Sequence, residues 1–183
     1  MGDDYQNKIA KLKGQIKSYP DFPKPGILFW DIFSAISDGQ TCTLLQGLLV
    51  ETIRREFPDI QAVVGLESRG FLFSFAVATE LGIGCVPVRK RGKLPGEVIA
   101  YEYKLEYGTD ILEIQKDSVK PGLKCLIIDD LLATGGTVNA AANLLQSCGA
   151  EVSGTLVVIE LEALNGRSKV PKGVKLHSLI QYA

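Results

Sequence analysis

The sequence has one histidine and one tryptophan, and its four cysteines include no CxxC pair. Cys42, Cys85, Cys125 and Cys148 are scattered, which argues for reduced thiols in a cytoplasmic protein. Cys85 and Cys125 sit in apolar, strand-like runs, where a free cysteine behaves as a small hydrophobe. No stretch reaches the ~20 apolar residues that a membrane helix needs, and MGDDYQNKIAKLKGQ lacks the apolar core of a secretion signal. A formal net charge of −1 removes the broad positive field that binds nucleic acid or anionic lipid, so neither is an expected partner. An anionic ligand must therefore be held by a local cluster. Repeats, low-complexity tracts and linker-like stretches are absent too, so 1–183 reads as one domain, with 46% apolar residues to build its core.

Tyr5, Ile9, Leu12, Ile16 and Tyr19 recur at helical spacing, which predicts an amphipathic helix at the start of the chain. Pro20, Pro23, Pro25 and Gly26 break it into an extended loop, and residues 27–33 resume a short apolar segment. Leu44, Leu45, Leu48, Leu49 and Ile53 share one face of a second helix over 41–57. Strands are then predicted over 62–66, 85–89, 124–129, 155–161 and 176–182, and helices over 71–81 and 137–148. Residues 97–115 alternate about Tyr107-Gly108-Thr109-Asp110 as a protruding β-hairpin. The fold class is thus α/β, with a central, mostly parallel sheet flanked by helices. Such sheets bind ligands beyond the carboxyl ends of their strands, where three loops carry the chemistry.

In LIIDDLLATGGTV (126–138) a buried strand ends in two carboxylates, and Ala133-Thr134-Gly135-Gly136-Thr137 opens a helix. The glycines let several backbone N–H groups converge, and the helix start adds partial positive charge, so the turn suits a phosphate monoester. Two acids beside an anion site make sense only if the ligand also brings hydroxyls. Asp129 and Asp130 can accept from a ribose diol, so a phosphorylated ribose fits both halves. The run is neither a Walker A loop nor a GxGxxG fingerprint. In LESRGF (66–71), Arg69 leaves a buried strand between Gly65 and Gly70 and can hold a diphosphate through its planar fork. In VRKRGKLPGE (88–97), Arg89, Lys90, Arg91 and Lys93 form a basic, glycine-punctuated run suited to covering a pyrophosphate leaving group. The hairpin adds Glu102, Tyr103, Glu106 and Tyr107; Glu106 is the candidate to exchange a proton with a purine as a glycosidic bond forms. The lone His177 is read as structural or surface.

YPDFPKPGILFWDI, VGLESRGFLF, VRKRGKLPGE, YKLEYG, LEIQKD and IIDDLLATGGT, in this order, resemble the adenine phosphoribosyltransferase family of type I phosphoribosyltransferases over nearly the whole chain. The resemblance implies a small base-binding hood from residues 1–35, a flexible hairpin loop, and a homodimeric, magnesium-dependent enzyme of purine salvage. Its substrates would be adenine and 5-phosphoribosyl 1-pyrophosphate, and its products AMP and pyrophosphate. By motif, Asp129 and Asp130 would bind the ribose hydroxyls, and Ala133, Thr134, Gly135, Gly136 and Thr137 the 5′-phosphate. Ser68, Arg69, Lys90 and Lys93 would contact pyrophosphate, and Arg89 would reach a neighbouring site across the dimer interface. Glu106 and Tyr107 would belong to the flexible catalytic loop, Arg69 of the LESRGF loop would be catalytic with them, and Leu28, Phe29 and Trp30 would line the adenine pocket. The family commonly carries arginine where this chain has Trp30. Mg²⁺ would arrive on the substrate without a direct protein ligand. Two alternatives stay open: the same chemistry on hypoxanthine or guanine, and a regulator that binds the phosphoribosyl substrate without turnover.

Overall fold

A computed structural model describes residues 2–104 and 108–183. The chain packs as two compact units, Met1–Arg55 and Glu56–Ala183. In the first, helix α1 (Gly2–Lys13) carries Asp3 and Asp4 in its first turn and Lys11 and Lys13 in its last, each sign opposite to the helix dipole there. The helix stops at Gly14, short of the predicted end. Ile16 is still buried, but Tyr19 lies in strand β1 (Lys17–Pro20) and is exposed. Apolar spacing extended the helix on paper; a glycine and the approaching Pro20 end it in the chain. Strand β2 (Leu28–Asp31) pairs antiparallel with β1, matching Trp30 to Ser18. Asp31 then caps α2 (Ile32–Ile36) by accepting from Phe33 N at 3.0 Å. Helix α3 (Gly39–Glu56) buries Leu45, Leu48, Leu49 and Ile53, and its Thr52 meets the Tyr5 hydroxyl at 2.7 Å.

The second unit is a seven-stranded sheet. Its strands are β3 (Ala62–Leu66), β4 (Gly84–Lys90), β5 (Val98–Lys104), β6 (Thr109–Gln115), β7 (Lys124–Leu132), β8 (Glu151–Leu161) and β9 (Lys175–Tyr182). Helix α4 (Gly70–Leu81) follows β3 and ends on Gly82 in the left-handed conformation, and α5 (Gly136–Ser147) follows β7. The order is β5-β6-β4-β3-β7-β8-β9; β4, β3, β7, β8 and β9 run parallel, while β6 is antiparallel to both its neighbours. The mostly parallel sheet is as predicted.

Residues Val64, Leu66, Val86, Val88, Cys125 and Ile127 form one core cluster with Val138, Ala141, Leu144 and Leu145 of α5. The alternate residues point the other way, and a Cβ on Gly65 would come within 3.0 Å of Ser74 Cβ on α4. The two helices therefore cover opposite faces, and central strands with both faces covered read as continuous apolar runs. Leu126, Ile127 and Ile128 are entirely buried, each contributing about 1.5–3 kcal/mol of transfer free energy. Strand β8 begins four residues earlier than predicted (151 against 155). Gly154 lies inside it because the Phe57 ring occupies the space of a side chain there. Cys125 is buried as expected for a core thiol; Cys85, although on a strand, is exposed.

Candidate active site

β4, β3 and β7 are adjacent and parallel, so the three loops singled out in the sequence leave the sheet side by side. Between β3 and β7 the connections diverge, one towards β4, β6 and β5 and the other towards β8 and β9. Open α/β sheets bind ligands at this kind of switch point.

Strand β7 runs three residues further than predicted, to Leu132, so Asp129 and Asp130 lie within its last turns of pleat rather than at its end. Continued pairing of Leu131 with Ile159 and Leu132 with Glu160 holds this segment extended. Asp130 is buried. Its Oδ2 accepts from Arg69 Nε at 2.9 Å, and its N–H donates to Asp129 Oδ1 at 2.9 Å. Gly70 makes this approach possible: a Cβ there would stand 2.6 Å from the Ile128 carbonyl oxygen and 3.3 Å from Asp129 Oδ1. The turn before it contains a cis Glu67–Ser68 peptide. Burial pushes the Asp129 carboxyl well above its usual range, and the neighbouring Asp130 adds to this. Burial also raises Asp130, against the opposing pull of Arg69. Two carboxyls thus stand side by side near the end of β7, one accepting from Arg69 and the other from the Asp130 N–H.

Beyond Leu132 the chain turns through Ala133-Thr134-Gly135 into α5. Gly135 has φ +77°, in the left-handed region that a side chain strains. The first N–H groups of a helix lack intrahelical acceptors, so this end of α5 presents donors and positive potential. On β5 the Tyr103 hydroxyl donates to Asp110 Oδ2 across the hairpin at 3.5 Å.

The basic run is held by carboxylates that the sequence reading left without a role. Glu67 accepts from Arg89 Nε (3.2 Å) and Nη2 (3.1 Å) and from Lys90 N (2.9 Å). The Arg89 hydrogen bonds hold the Glu67 carboxyl below its usual range. Arg89 Nη1 also donates to the Lys93 carbonyl at 3.0 Å. Buried Glu113 accepts from Gly92 N at 2.8 Å. Lys90 Nζ reaches Asp110 Oδ2 at 3.2 Å, and the Asp110 partner raises the Lys90 ammonium. Glu67 stood in the quoted LESRGF run; its position two residues before Arg69 was its only sequence signal. Asp110 and Glu113 are far from Lys90 and Gly92 along the chain and become neighbours only through β-pairing.

The structure thus gathers Arg69, Asp129, Asp130 and the Ala133–Thr137 turn at one end of β3 and β7, with Arg89, Lys90 and Lys93 at the end of β4. Ser68 is exposed on the intervening turn. Leu28, Phe29 and Trp30 lie on β2 of the other unit, where Leu28 is 49% exposed and Phe29 and Trp30 are half-buried. Glu106 and Tyr107 lie outside the described residues. His177, on β9 opposite Leu156, stands apart from this cluster in sequence and strand order.

Residues 39–178 match the family model for the phosphoribosyl transferase domain. The chain is 51% identical over 177 residues to an adenine phosphoribosyltransferase of Drosophila pseudoobscura pseudoobscura, covering 97% of each protein. Among solved structures it is similar to adenine phosphoribosyltransferase from Saccharomyces cerevisiae complexed with an imino-altritol bisphosphate and adenine. There the TM-score is 0.91 and the identity 40%, covering 96% of this chain and 99% of that one. The Trypanosoma brucei enzyme, in complex with AMP, pyrophosphate and ribose-5-phosphate, superposes with a TM-score of 0.85 at 25% identity, covering 95% of this chain and 79% of that one. By fold, by the strand-end cluster and by identity along nearly its full length, the chain belongs to the adenine phosphoribosyltransferases.

Proposed function

We propose that the protein transfers the phosphoribosyl group of 5-phosphoribosyl 1-pyrophosphate to adenine, yielding AMP and pyrophosphate. The observation that carries this reading is the Asp129–Asp130 pair, with Asp130 buried and held by Arg69, beside the glycine turn that opens α5. Asp129 and Asp130 accept from the ribose hydroxyls, and Ala133, Thr134, Gly135, Gly136 and Thr137 hold the 5′-phosphate. Ser68, Arg69, Arg89, Lys90 and Lys93 serve the pyrophosphate; Lys90 exchanges Asp110 for a substrate oxygen. Leu28, Phe29 and Trp30 receive the base, and Glu106 and Tyr107 act at the reacting bond. The bond from the anomeric carbon to pyrophosphate breaks with its electron pair leaving on the phosphate oxygen, and a purine nitrogen bonds the same carbon. The transition state is oxocarbenium-like, as in glycoside cleavage. The purine's N–H proton passes to Glu106.

Mg²⁺ prefers substrate phosphates and retained waters to an all-protein cage. Among the described residues no group of three His, Cys, Asp or Glu side chains could hold a metal, and Asp130 is engaged by Arg69. Arg89 and Lys90 at the end of β4 suit a pyrophosphate that brings its own ion, which would neutralise charge on the leaving group. Free cysteines are in keeping with a cytoplasmic location.

Backbone groups of residues 27–30 can select adenine, because a carbonyl that accepts from its amino group would face the hypoxanthine oxygen with no proton between them. That mismatch costs about 1–3 kcal/mol, roughly ten- to hundredfold per contact. The test is product formation from 5-phosphoribosyl 1-pyrophosphate and Mg²⁺ with adenine, hypoxanthine or guanine in turn. AMP should form with adenine, at an efficiency at least tenfold (roughly one such contact) above hypoxanthine, and chelation should stop it. Turnover of another purine in preference to adenine would reassign the base, and turnover of none would make the protein a binding module.

A homodimer completes this reading. Leu72 and Phe75 on α4 are 50% and 70% exposed, and two large apolar side chains one turn apart suit an interface. Phe75→Asp should convert a dimeric mass in light scattering to a monomeric one. A wild-type protein that is monomeric at micromolar concentration would remove the dimer from the scheme.

A further inference from the structure

Between β8 and β9 two 3₁₀ turns, Glu162–Leu164 and Gly166–Lys169, form a strap to which the proposed reaction assigns no role. At its centre Gly166 is buried and lies backbone to backbone against the phosphate turn. A Cβ on Gly166 would stand 2.9 Å from Gly135 N and 3.0 Å from the Ala133 carbonyl carbon, and one on Gly135 would stand 3.0 Å from the Gly166 carbonyl carbon. Neither position tolerates a side chain, so where the strap sits decides where the turn's amides point.

Two anchors set the strap. Arg167, the residue after Gly166, holds Glu160 of β8 with both arms of its fork: Nε donates to Oε1 at 2.9 Å, and Nη2 binds Oε2. The fork also reaches the Leu176 carbonyl (3.2 Å) and Ser178 Oγ (3.3 Å) on β9. Glu160 is buried, and its Oε2 further accepts from Ser178 Oγ at 2.6 Å and Gln181 Nε2 at 3.3 Å. On the other side, Asn139 of α5 donates through Nδ2 to the Lys169 carbonyl at 2.6 Å. The strap is thus pinned both to the sheet and to the helix whose N-terminus faces the phosphate.

We propose that Arg167 is a positioning residue for the 5′-phosphate: with Glu160 and Asn139 it seats Gly166 against Ala133–Gly135 and so fixes the donor set of that turn. This rests on the reaction proposed above. A planar, bidentate pair anchored in a buried carboxylate defines the position of its backbone far better than a point charge does. Arg167 does not touch the substrate, so its loss should act selectively on ligands that carry the 5′-phosphate.

The test measures dissociation constants for AMP and for Mg-pyrophosphate, and steady-state constants, in wild type, Arg167→Gln, Arg167→Lys and Asn139→Ala. Arg167→Gln should raise the AMP dissociation constant and the KM for the phosphoribosyl substrate by about three- to thirtyfold, the usual reach of a residue acting through a neighbour. Turnover and pyrophosphate binding should stay within about twofold, a range expected where the contacts themselves are intact. Arg167→Lys should recover part of the loss. Asn139→Ala, which leaves the buried pair untouched, should show the same selectivity even if the arginine variants fold poorly. Wild-type AMP affinity in Asn139→Ala and in any folded arginine variant would overturn the proposal, as would equal weakening of AMP and pyrophosphate. A wild-type protein that binds no AMP would instead overturn the reaction on which the proposal rests.

Discussion

Glu106→Gln is expected to lower turnover by about 10²–10⁴-fold, the typical contribution of a positioned general acid–base group, while leaving the binding of the phosphoribosyl substrate close to that of wild type. The expectation follows from the reaction rather than from a contact, since Glu106 lies outside the described residues. Adenine must surrender an N–H proton as its nitrogen bonds the anomeric carbon, and none of the groups gathered at the strand ends suits that task. Arg69 and Asp130 are committed to each other at 2.9 Å. The Asp129 carboxyl is pushed up by burial and by its acidic neighbour, which suits it to the ribose hydroxyls. Lys90 is an ammonium held by Asp110. Glu106, the carboxylate of YKLEYG, is the group the proposed reaction assigns to the purine. Single-turnover kinetics isolate the chemical step from product release. A Glu106→Gln enzyme with wild-type single-turnover rates would assign the proton to water or to another group.

Asp130→Asn is expected to weaken binding of 5-phosphoribosyl 1-pyrophosphate by roughly ten- to 150-fold, equivalent to losing about 1.5–3 kcal/mol of hydrogen bonding to a charged acceptor. The fold should survive. Asparagine keeps an oxygen for Arg69 Nε and leaves the Asp130 N–H bond to Asp129 Oδ1 in place. It also removes one of two crowded carboxyls. Both acids are raised by burial, Asp129 more so, and a carboxyl whose folded pKa exceeds its unfolded value loses stability as pH rises from the unfolded through the folded pKa. Above that window the wild-type pair is a net cost in the unliganded protein, and the variant should escape part of it. The ligand-free variant should therefore melt at or above the wild-type temperature near neutral pH, yet need far more substrate to saturate. A variant with unchanged affinity would take the ribose away from Asp130; one that melts far lower would make the pair a structural element instead.

Much of the second unit was legible in the sequence because its elements are strongly periodic or continuously apolar. Ala62–Leu66 and Lys124–Ile128 are runs that only a strand covered on both faces accommodates, and Gly82 ends α4 where a left-handed residue was needed. Asp129, Asp130, Arg69 and the Ala133–Thr137 turn were legible for a related reason. Each lies next to a core strand, so its chemistry and its address appear together in one short segment. The first unit was read less well, because Ile16 and Tyr19 continue the apolar spacing of α1 although Gly14 has already ended the helix.

What the sequence could not disclose were partners separated along the chain. Glu113 comes to Gly92 and Asp110 to Lys90 only when β6 pairs with β4. Glu160 meets Arg167 only when β8 and β9 lie side by side, and Gly166 meets Gly135 only when the strap between those strands folds back on the turn. Local pattern reports the conformational preference of neighbouring residues, which sterics and burial impose within a few positions. The sequence by itself therefore determined the parallel α/β sheet and the glycine turn that opens α5. The carboxylates that hold the basic run, and the packing of the strap against the glycine turn, were decided by tertiary structure, because strand order and loop closure bring them together and neither leaves a periodic trace.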